Sequence, residues 1–370
     1  MKFIASVLAF LSFLSFLSFL SHKVHSQEQA AVELNWHDVT IVGVEGRILP
    51  DQPRLSWFDR LPSLAESTVT PSVWNLSRDS AGMVFRFKTD ANAIHIHYKL
   101  SKSNLAMPHM PATGVSGVDL YARDEAGKWK WVQVTKPTAQ EIKTEIVGGL
   151  AAGYREYAAY LPLYNGVEFL RFGVVKGSKF EGLAPREKPI VFYGTSITHG
   201  ACASRPGMVH TGILGRKLDM PVVNLGFSGN GKMDKEVGDF LTQIDAAAYV
   251  IDCLPNMGPS EVTAKCIPLV QQIRAVRSNT PIIMVEDRRF TNDWILPEKE
   301  KFHTSNHAAL RAAYDQLQKD GVINLHYIPG DKLYGDDTEG ATDASHANDL
   351  GFMRQAEAFE PILRKALTAN

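Results

Sequence analysis

Apolar residues follow two different rhythms along the chain. From about Val32 to Val175, short segments alternate apolar and polar positions: GMVFRFKT (82–89), AIHIHYKL (93–100), GVDLYARD (117–124), KWKWVQVT (128–135) and VEFLRFGV (167–174). Asn, Gly, Asp and Pro turn signals separate them, and no long helical pattern intervenes. A period of two puts alternate side chains on opposite faces, so this half predicts an antiparallel, jelly-roll-like β-sandwich over residues 27–176. The polar, Gly- and Pro-containing stretch KGSKFEGLAPREKP follows, and residues 177–188 within it are expected to be a linker.

Beyond it, over 189–370, apolar strands alternate with amphipathic helices. IVFYG (190–194) leads to a helix near Val209–Leu218, PVVNLGF (221–227) to one near Met233–Ile244, and AAYVIDCL (247–254) to one near Val262–Val276. PIIMVED (281–287) precedes a long helix within 301–320, and INLHYIP (323–329) precedes a last one near Leu350–Leu367. Strands that are apolar throughout are buried on both faces, which predicts a mostly parallel, three-layer α/β sheet. Ligands of such sheets bind at the carboxyl ends of the strands.

The first residues, MKFIASVLAFLSFLSFLSFLSHKVHSQ, carry an early Lys, an apolar run with repeated serines, and small residues at the −1 and −3 positions of a cleavage point between Ser26 and Gln27. This pattern predicts a signal peptide over 1–26, export to periplasm or exterior, and no membrane anchor in the mature chain. With 45% hydrophobic and 21% charged residues and a net charge of −1, the chain has no basic footprint for nucleic acid. Cys202, Cys253 and Cys266 are too few for a disulfide framework, although one bridge stays open.

The strand ends of the second half deliver a chemically coherent set. GTSITHG (194–200) brings Ser196, NLGFSGNG (224–231) brings Gly229, Leu254-Pro255-Asn256 brings an amide, and TDASHANDLGF (342–352) brings Asp343 and His346. A serine hydroxyl is a poor nucleophile at neutral pH and needs a base, a role His346 can fill through one ring nitrogen. The other nitrogen needs an acceptor that fixes its tautomer, and Asp343 stands three residues away. Attack on an ester creates an oxyanion, for which the N–H groups of Ser196 and Gly229 and the Asn256 amide are candidate donors. Ser196 also suits a plain structural role at the start of a helix.

These four blocks resemble those of the SGNH (GDSL-like) hydrolases, whose members are esterases, lipases and carbohydrate deacetylases on a flavodoxin-like α/β/α fold. The resemblance implies Ser196 as nucleophile, Gly229 and Asn256 as oxyanion donors, and Asp343 and His346 as the rest of a triad, with no cofactor and no metal. Two departures stand out: Gly-Thr-Ser replaces the usual Gly-Asp-Ser, and Leu254-Pro255-Asn256-Met257 replaces Gly-x-Asn-Asp. In the first half, WFDRLP (57–62), VWNLSRDSAG (73–82) and MPATGVSGVDLY (110–121) resemble the β-sandwich that precedes the catalytic domain in an exported subgroup named for a Gly-x-Asp-Leu-Tyr motif, here Gly117 to Tyr121. The implied partner is an acylated, most of all acetylated, carbohydrate. The alternatives are a lipase or acyltransferase on the same machinery, or a glycan-binding protein with a degenerate hydrolase domain.

Other residues invite lesser readings. His199 lies one helical turn after Ser196 and is expected to line the cleft, and His109 in the loop PHMPATG (108–114) is a candidate wall residue. His303 and His307 have the i, i+4 spacing of a zinc helix without its glutamate, so a solvated or partly packed face is expected. His95 and His97 share one strand face, and Asp336, Asp337 and Glu339 form an acidic loop. Asp119 is expected to hold local turn structure.

Overall fold

The computed structural model describes residues 33–368; the expected signal peptide lies outside the described residues. The first half pairs strictly antiparallel strands in two sheets. One sheet has the order β1 (Leu34–Asp38), β8 (Val167–Val175), β3 (Ile94–Leu100), β6 (Glu141–Val147). The other has the order β5 (Trp129–Val134), β4 (Asp119–Arg123), β7 (Arg155–Tyr160), β2 (Val84–Thr89), β9 (Phe180–Leu183). The alternation works as expected: in β3, Ile94, Ile96, Tyr98 and Leu100 are buried, while His95, His97 and Lys99 face outward. Between the sheets, Phe85 and Phe87 of β2 pack on Phe172 of β8, and Phe87 also stacks on Tyr157 of β7. Such aromatic contacts add to the burial that holds two sheets face to face.

One boundary is corrected. The segment expected as a linker supplies β9, which pairs antiparallel with β2 from Arg86–Leu183 to Thr89–Phe180. Its charged residues had marked it as a connector. An edge strand tolerates them, because one side faces solvent.

In the second half, β10 (Ile190–Gly194), β11 (Val222–Gly226), β12 (Ala248–Asp252), β13 (Ile282–Val285) and β14 (Leu325–Ile328) form a wholly parallel sheet in the order β11-β10-β12-β13-β14. Counted within this sheet the order is 2-1-3-4-5, the flavodoxin-like doubly wound arrangement. The three short helices of the first half are α1 (Ala65–Thr68), α2 (Pro71–Ser77) and α3 (Ala112–Val115). Those of the second are α4 (Ser196–His199), α5 (His210–Leu218), α6 (Lys235–Leu241), α7 (Pro259–Val276), α8 (Pro297–Lys319) and α9 (Asp349–Thr368). One face of the sheet packs Tyr193, Leu225 and Ile251 against α6, α7 and α8. The other packs Phe192, Val250 and Ile283 against α5 and α9.

The two halves meet through buried polar groups. The fully buried guanidinium of Arg60 donates to the backbone carbonyls of Leu76 and Asp79 in the first half, and to those of Asn224 (3.0 Å) and Gly226 (2.8 Å) at the end of β11. Asp119, from the Gly-x-Asp-Leu-Tyr motif, is also fully buried. It accepts from Trp131 Nε1 (2.9 Å) on its own sheet and from Arg205 (2.9 Å) and the Gly207 N–H (2.8 Å) of the second half. Asp119 therefore clamps sandwich to α/β layer, rather than holding a local turn. Tyr121 of the same motif lies under the Arg216 guanidinium at 3.9 Å.

Truncating Arg60 would remove a donor from four carbonyls, of which that of Leu76 keeps the Asp79 N–H at 3.2 Å. Each buried carbonyl left unpaired costs about 1–3 kcal/mol, less what side-chain repacking recovers. Arg60→Met is expected to lower unfolding free energy by about 3–5 kcal/mol in urea titrations. A stability within about 0.5 kcal/mol of the parent would show that this contact does not join the halves.

Candidate active site

The site forms where β10 ends. Gly194 closes the strand and Thr195 caps α4, its hydroxyl accepting from the Ile197 N–H at 3.4 Å. A threonine thus does the capping that the usual aspartate would do, without a charge beside Ser196. Helix α4 can lie tight on the strand ends because Gly226 lacks a Cβ: one there would run into the backbone of His199. Ser196 sits at the first turn of α4, 7% exposed.

Ser196 Oγ lies 2.8 Å from His346 Nε2, and His346 Nδ1 lies 2.7 Å from Asp343 Oδ2. The loop carrying Asp343 and His346 is fixed by its own backbone. Asp343 Oδ1 accepts from the N–H groups of Ser345 (3.1 Å) and His346 (2.8 Å), and Ala344, between Asp343 and Ser345, takes a left-handed φ of 69°. Its carbonyls are held from outside: Ala344 O by the Thr291 N–H (3.0 Å), Ser345 O by Arg288 Nε (3.0 Å) and Tyr334 OH (3.1 Å). Partial burial pushes the Asp343 carboxyl up, but the N–H and imidazole donors of His346 and the Ser345 N–H outweigh it and leave its pKa below the ordinary value. Asp343 is thus favoured as the anion, and the neutral imidazole that donates to it does so through Nδ1, which leaves Nε2 facing Ser196 as an acceptor.

Gly229 adopts φ +71° in the loop after β11, and nothing lies within 4 Å of where a Cβ would be, so its backbone borders open space. Asn256 ends the short helical turn Leu254–Asn256, whose Leu254 anchors in the core. Its Oδ1 accepts from the Gly231 N–H at 3.2 Å, which leaves the amide N–H₂ as the group it can offer a ligand. His109 reaches in from the sandwich half: its ring stands 6.3 Å from that of His346, and the residue is exposed.

His199 is a correction. It is completely buried, stacks on Tyr164 at 4.1 Å and meets the Leu163 carbonyl through Nε2 at 2.7 Å, so it packs beneath the site and does not line the cleft. Burial, together with the charge of Arg60, holds its pKa well below the usual range. The sequence gives no signal for Tyr164 itself, which comes from the segment between β7 and β8; its hydroxyl meets Ser228 Oγ at 3.2 Å and the Ser196 carbonyl at 3.4 Å.

His303 and His307 do not form a metal pair. His303 is buried against Asp293 (2.8 Å), and His307 Nε2 donates to the Asp287 carbonyl (2.7 Å). His97 and His95 face Glu141 and Glu145 on the outer sheet surface. Asp337 pairs with Arg354 at 2.7 Å. All three cysteines are free. Among the described residues, Cys202 Sγ, an Asp343 oxygen and a His346 ring nitrogen lie within 4.8 Å of one another, a set able to ligate a divalent ion. The Asp343–His346 hydrogen bond already occupies two of those three groups.

A doubly wound sheet with an antiparallel sandwich docked on it, and a serine, histidine and aspartate chained at its carboxyl edge, is the layout of SGNH-type esterases. The chain belongs to that family: the profile of the GDSL-like lipase/acylhydrolase family matches residues 187–364, and that of the GxDLY N-terminus of SGNH-hydrolase-type esterases matches residues 34–180. A Bacteroides ovatus protein assigned as a GDSL-like lipase is 31% identical, with a TM-score of 0.85 over 91% of this chain and 98% of that one. The salicylyl-acyltransferase SsfX3 of a tetracycline biosynthetic pathway shares the fold at 19% identity (TM-score 0.69; 90% and 94% coverage). A family two carbohydrate esterase from Cellvibrio japonicus does so at 12% identity (TM-score 0.56; 91% and 98%). No curated protein matches the chain.

Below helix α4, Asp252 is fully buried at the end of β12, with Thr198 Oγ1 at 3.1 Å. Burial pushes its pKa up to about 8; the Asp287 charge adds to this, and the Thr198 hydroxyl and Arg288 oppose it. Its folded pKa therefore exceeds the unfolded value of about 3.9, so the unfolded state loses the proton first. The contribution of this group to stability falls as pH rises from about 4 to about 8 and is constant above. Asp252→Asn is expected to gain stability over the parent progressively across that window, measured by urea unfolding at pH 4.5, 6 and 7.5. A gap between the two proteins that does not change with pH would mean that Asp252 is ionised in the fold.

Proposed function

We propose that the chain is an exported serine esterase that hydrolyses small acyl esters, acetyl above all, on oligo- or polysaccharides through an acyl-enzyme. The observation that carries the reading is the unbroken chain Ser196 Oγ, His346, Asp343 at 2.8 and 2.7 Å. Ser196 Oγ attacks the ester carbonyl carbon while its proton passes to His346 Nε2, and the carbonyl electron pair becomes an oxyanion facing the Ser196 and Gly229 N–H groups and the Asn256 amide. Collapse of that intermediate expels the sugar alkoxide, which takes the proton from His346. Water, deprotonated by His346, then cleaves the acyl-enzyme, and acetate leaves. Asp343 stays ionised throughout and stabilises the imidazolium.

The glycan reading is supported by the shared two-part layout with the Cellvibrio japonicus carbohydrate esterase, and export by the N-terminal pattern. Among the described residues no helix is long and apolar enough to cross a membrane. An acyltransferase on the same machinery is the second reading, since SsfX3 also has both parts.

Ser196→Ala is expected to lower acetate release from acetylated xylan or mannan by at least about 10³-fold, with Asp343→Asn close behind. Asn256→Ala is expected to cost about 10²- to 10³-fold in kcat. Hydrolysis by Ser196→Ala at the parent rate would refute the mechanism. A chain-length series from acetyl to decanoyl esters tests the acyl preference, and activity that holds at decanoyl would favour a lipase. Transfer to an added alcohol outrunning hydrolysis would favour the acyltransferase.

A further inference from the structure

Beside the triad loop, the chain leaving β13 runs through Arg289–Leu296 and faces residues 331–338 across a cleft of about 480 Å³. That volume falls in the roughly 300–1,000 Å³ range of small-ligand sites. We infer that this cleft is a subsite for a neutral sugar of the glycan backbone, adjacent to the residue whose ester meets Ser196; the inference rests on the glycan-esterase reading.

Three observations carry it. The first is Trp294, which lines the cleft and is 73% exposed. An indole exposed in a cleft presents a flat apolar face with a polar edge, and the C–H face of a pyranose is a flat apolar surface of matching size. The second is the polar rim. Arg289 is held by Asp293 at 2.8 Å, and Asp293 is fixed in turn by His303 at 2.8 Å, so the remaining guanidinium donors are preset. Asp331 and Asp336 supply acceptors across the cleft. Donors and acceptors around an aromatic plate suit adjacent ring hydroxyls, whereas an acyl chain would leave them unpaired.

The third is position. The Thr291 N–H donates to Ala344 O, and Tyr334, which lines the cleft, donates to Ser345 O, so cleft and triad loop share a wall. On this reading a chain bound across Trp294 continues past that wall toward Asp343 and His346. The charge of the rim also selects. Asp293, Asp331 and Asp336 line the cleft with Arg289, while Lys299 and Arg288 stand over Phe290 and Arg354 lies against Gly335. Arg288 and Arg354 are each paired with a carboxylate, Asp287 and Asp337, so the cleft keeps an excess of negative charge that disfavours a uronate and favours uncharged backbones such as xylan or mannan.

Calorimetric titration of the full chain with xylotetraose, mannotetraose and a tetramer of galacturonate tests this, with thermal melts confirming that each variant is folded. At least one neutral tetramer is expected to bind more tightly than the galacturonate one. Trp294→Ala is expected to weaken that binding about tenfold or more, with Trp294→Phe recovering part of it, and to raise KM for the acetylated oligosaccharide more than it lowers kcat. Unchanged affinity in Trp294→Ala, equal binding of the galacturonate tetramer, or no binding of any of the three overturns the subsite. Trp294-dependent binding by a protein that releases no acetate from any glycan would sustain the subsite while overturning the esterase reading.

Discussion

Arg60 sets the constraint on which the rest of the structure depends. A guanidinium taken wholly out of water is strongly unfavourable unless its donors are satisfied, and two of its acceptors, the carbonyls of Asn224 and Gly226, belong to the other half of the molecule. The sandwich half therefore cannot complete its own interior without the end of β11. The benefit is mutual. Asn224 Nδ2 donates to the Thr198 carbonyl at 2.6 Å and its Oδ1 accepts from the Gly226 N–H at 2.9 Å, so the strand end held by Arg60 in turn holds α4. Asp119 fastens the opposite end of the contact through Arg205 and Gly207. The N-terminal domain is thus part of the scaffold beneath Ser196, and it sends His109 to the rim of the site as well.

The triad loop is built on the same logic of over-determination. A non-glycine residue at φ 69° is strained, and it persists because the surroundings leave it no alternative. Thr291, Arg288 and Tyr334 grip the loop carbonyls from outside while Asp343 ties the N–H groups from within. His346 is thereby held against Ser196 by the fold itself, and in the proposed mechanism a base that needs no reorganisation spends none of the binding energy on itself. The elements that do the gripping also line the cleft beside Trp294, so a sugar seated there would press on the walls that position the base.

Much of this was legible in one dimension. Predominantly apolar runs marked the five parallel strands, because a strand buried on both faces has few polar positions to show, Asn224 in β11 and His326 in β14 being exceptions. Alternation marked β2, β3, β4, β5 and β8 for the converse reason. The residues that converge at the carboxyl edge could be named because each ends a strand or begins the loop after one. The segment 180–183 was misread because edge strands carry the same charged residues as linkers, and Asp119 because a buried ion pair between distant segments leaves no local trace.

Sequence alone therefore determined the two fold classes and the membership of the parallel sheet and nominated Ser196, Asp343 and His346 as candidates, since periodicity and strand-end position are local properties. Tertiary structure decided which histidine meets the serine and which is sealed in: His199 is three residues from Ser196 yet buried against Leu163, while His346 is 150 residues away and within hydrogen-bond reach. It also decided that Arg60 and Asp119 join the halves and that Thr291 and Tyr334, which line the cleft with Trp294, hold the loop of Asp343 and His346. Those facts depend on distances between elements, and distance across a fold is fixed by packing and buried hydrogen bonds that no short window of sequence contains.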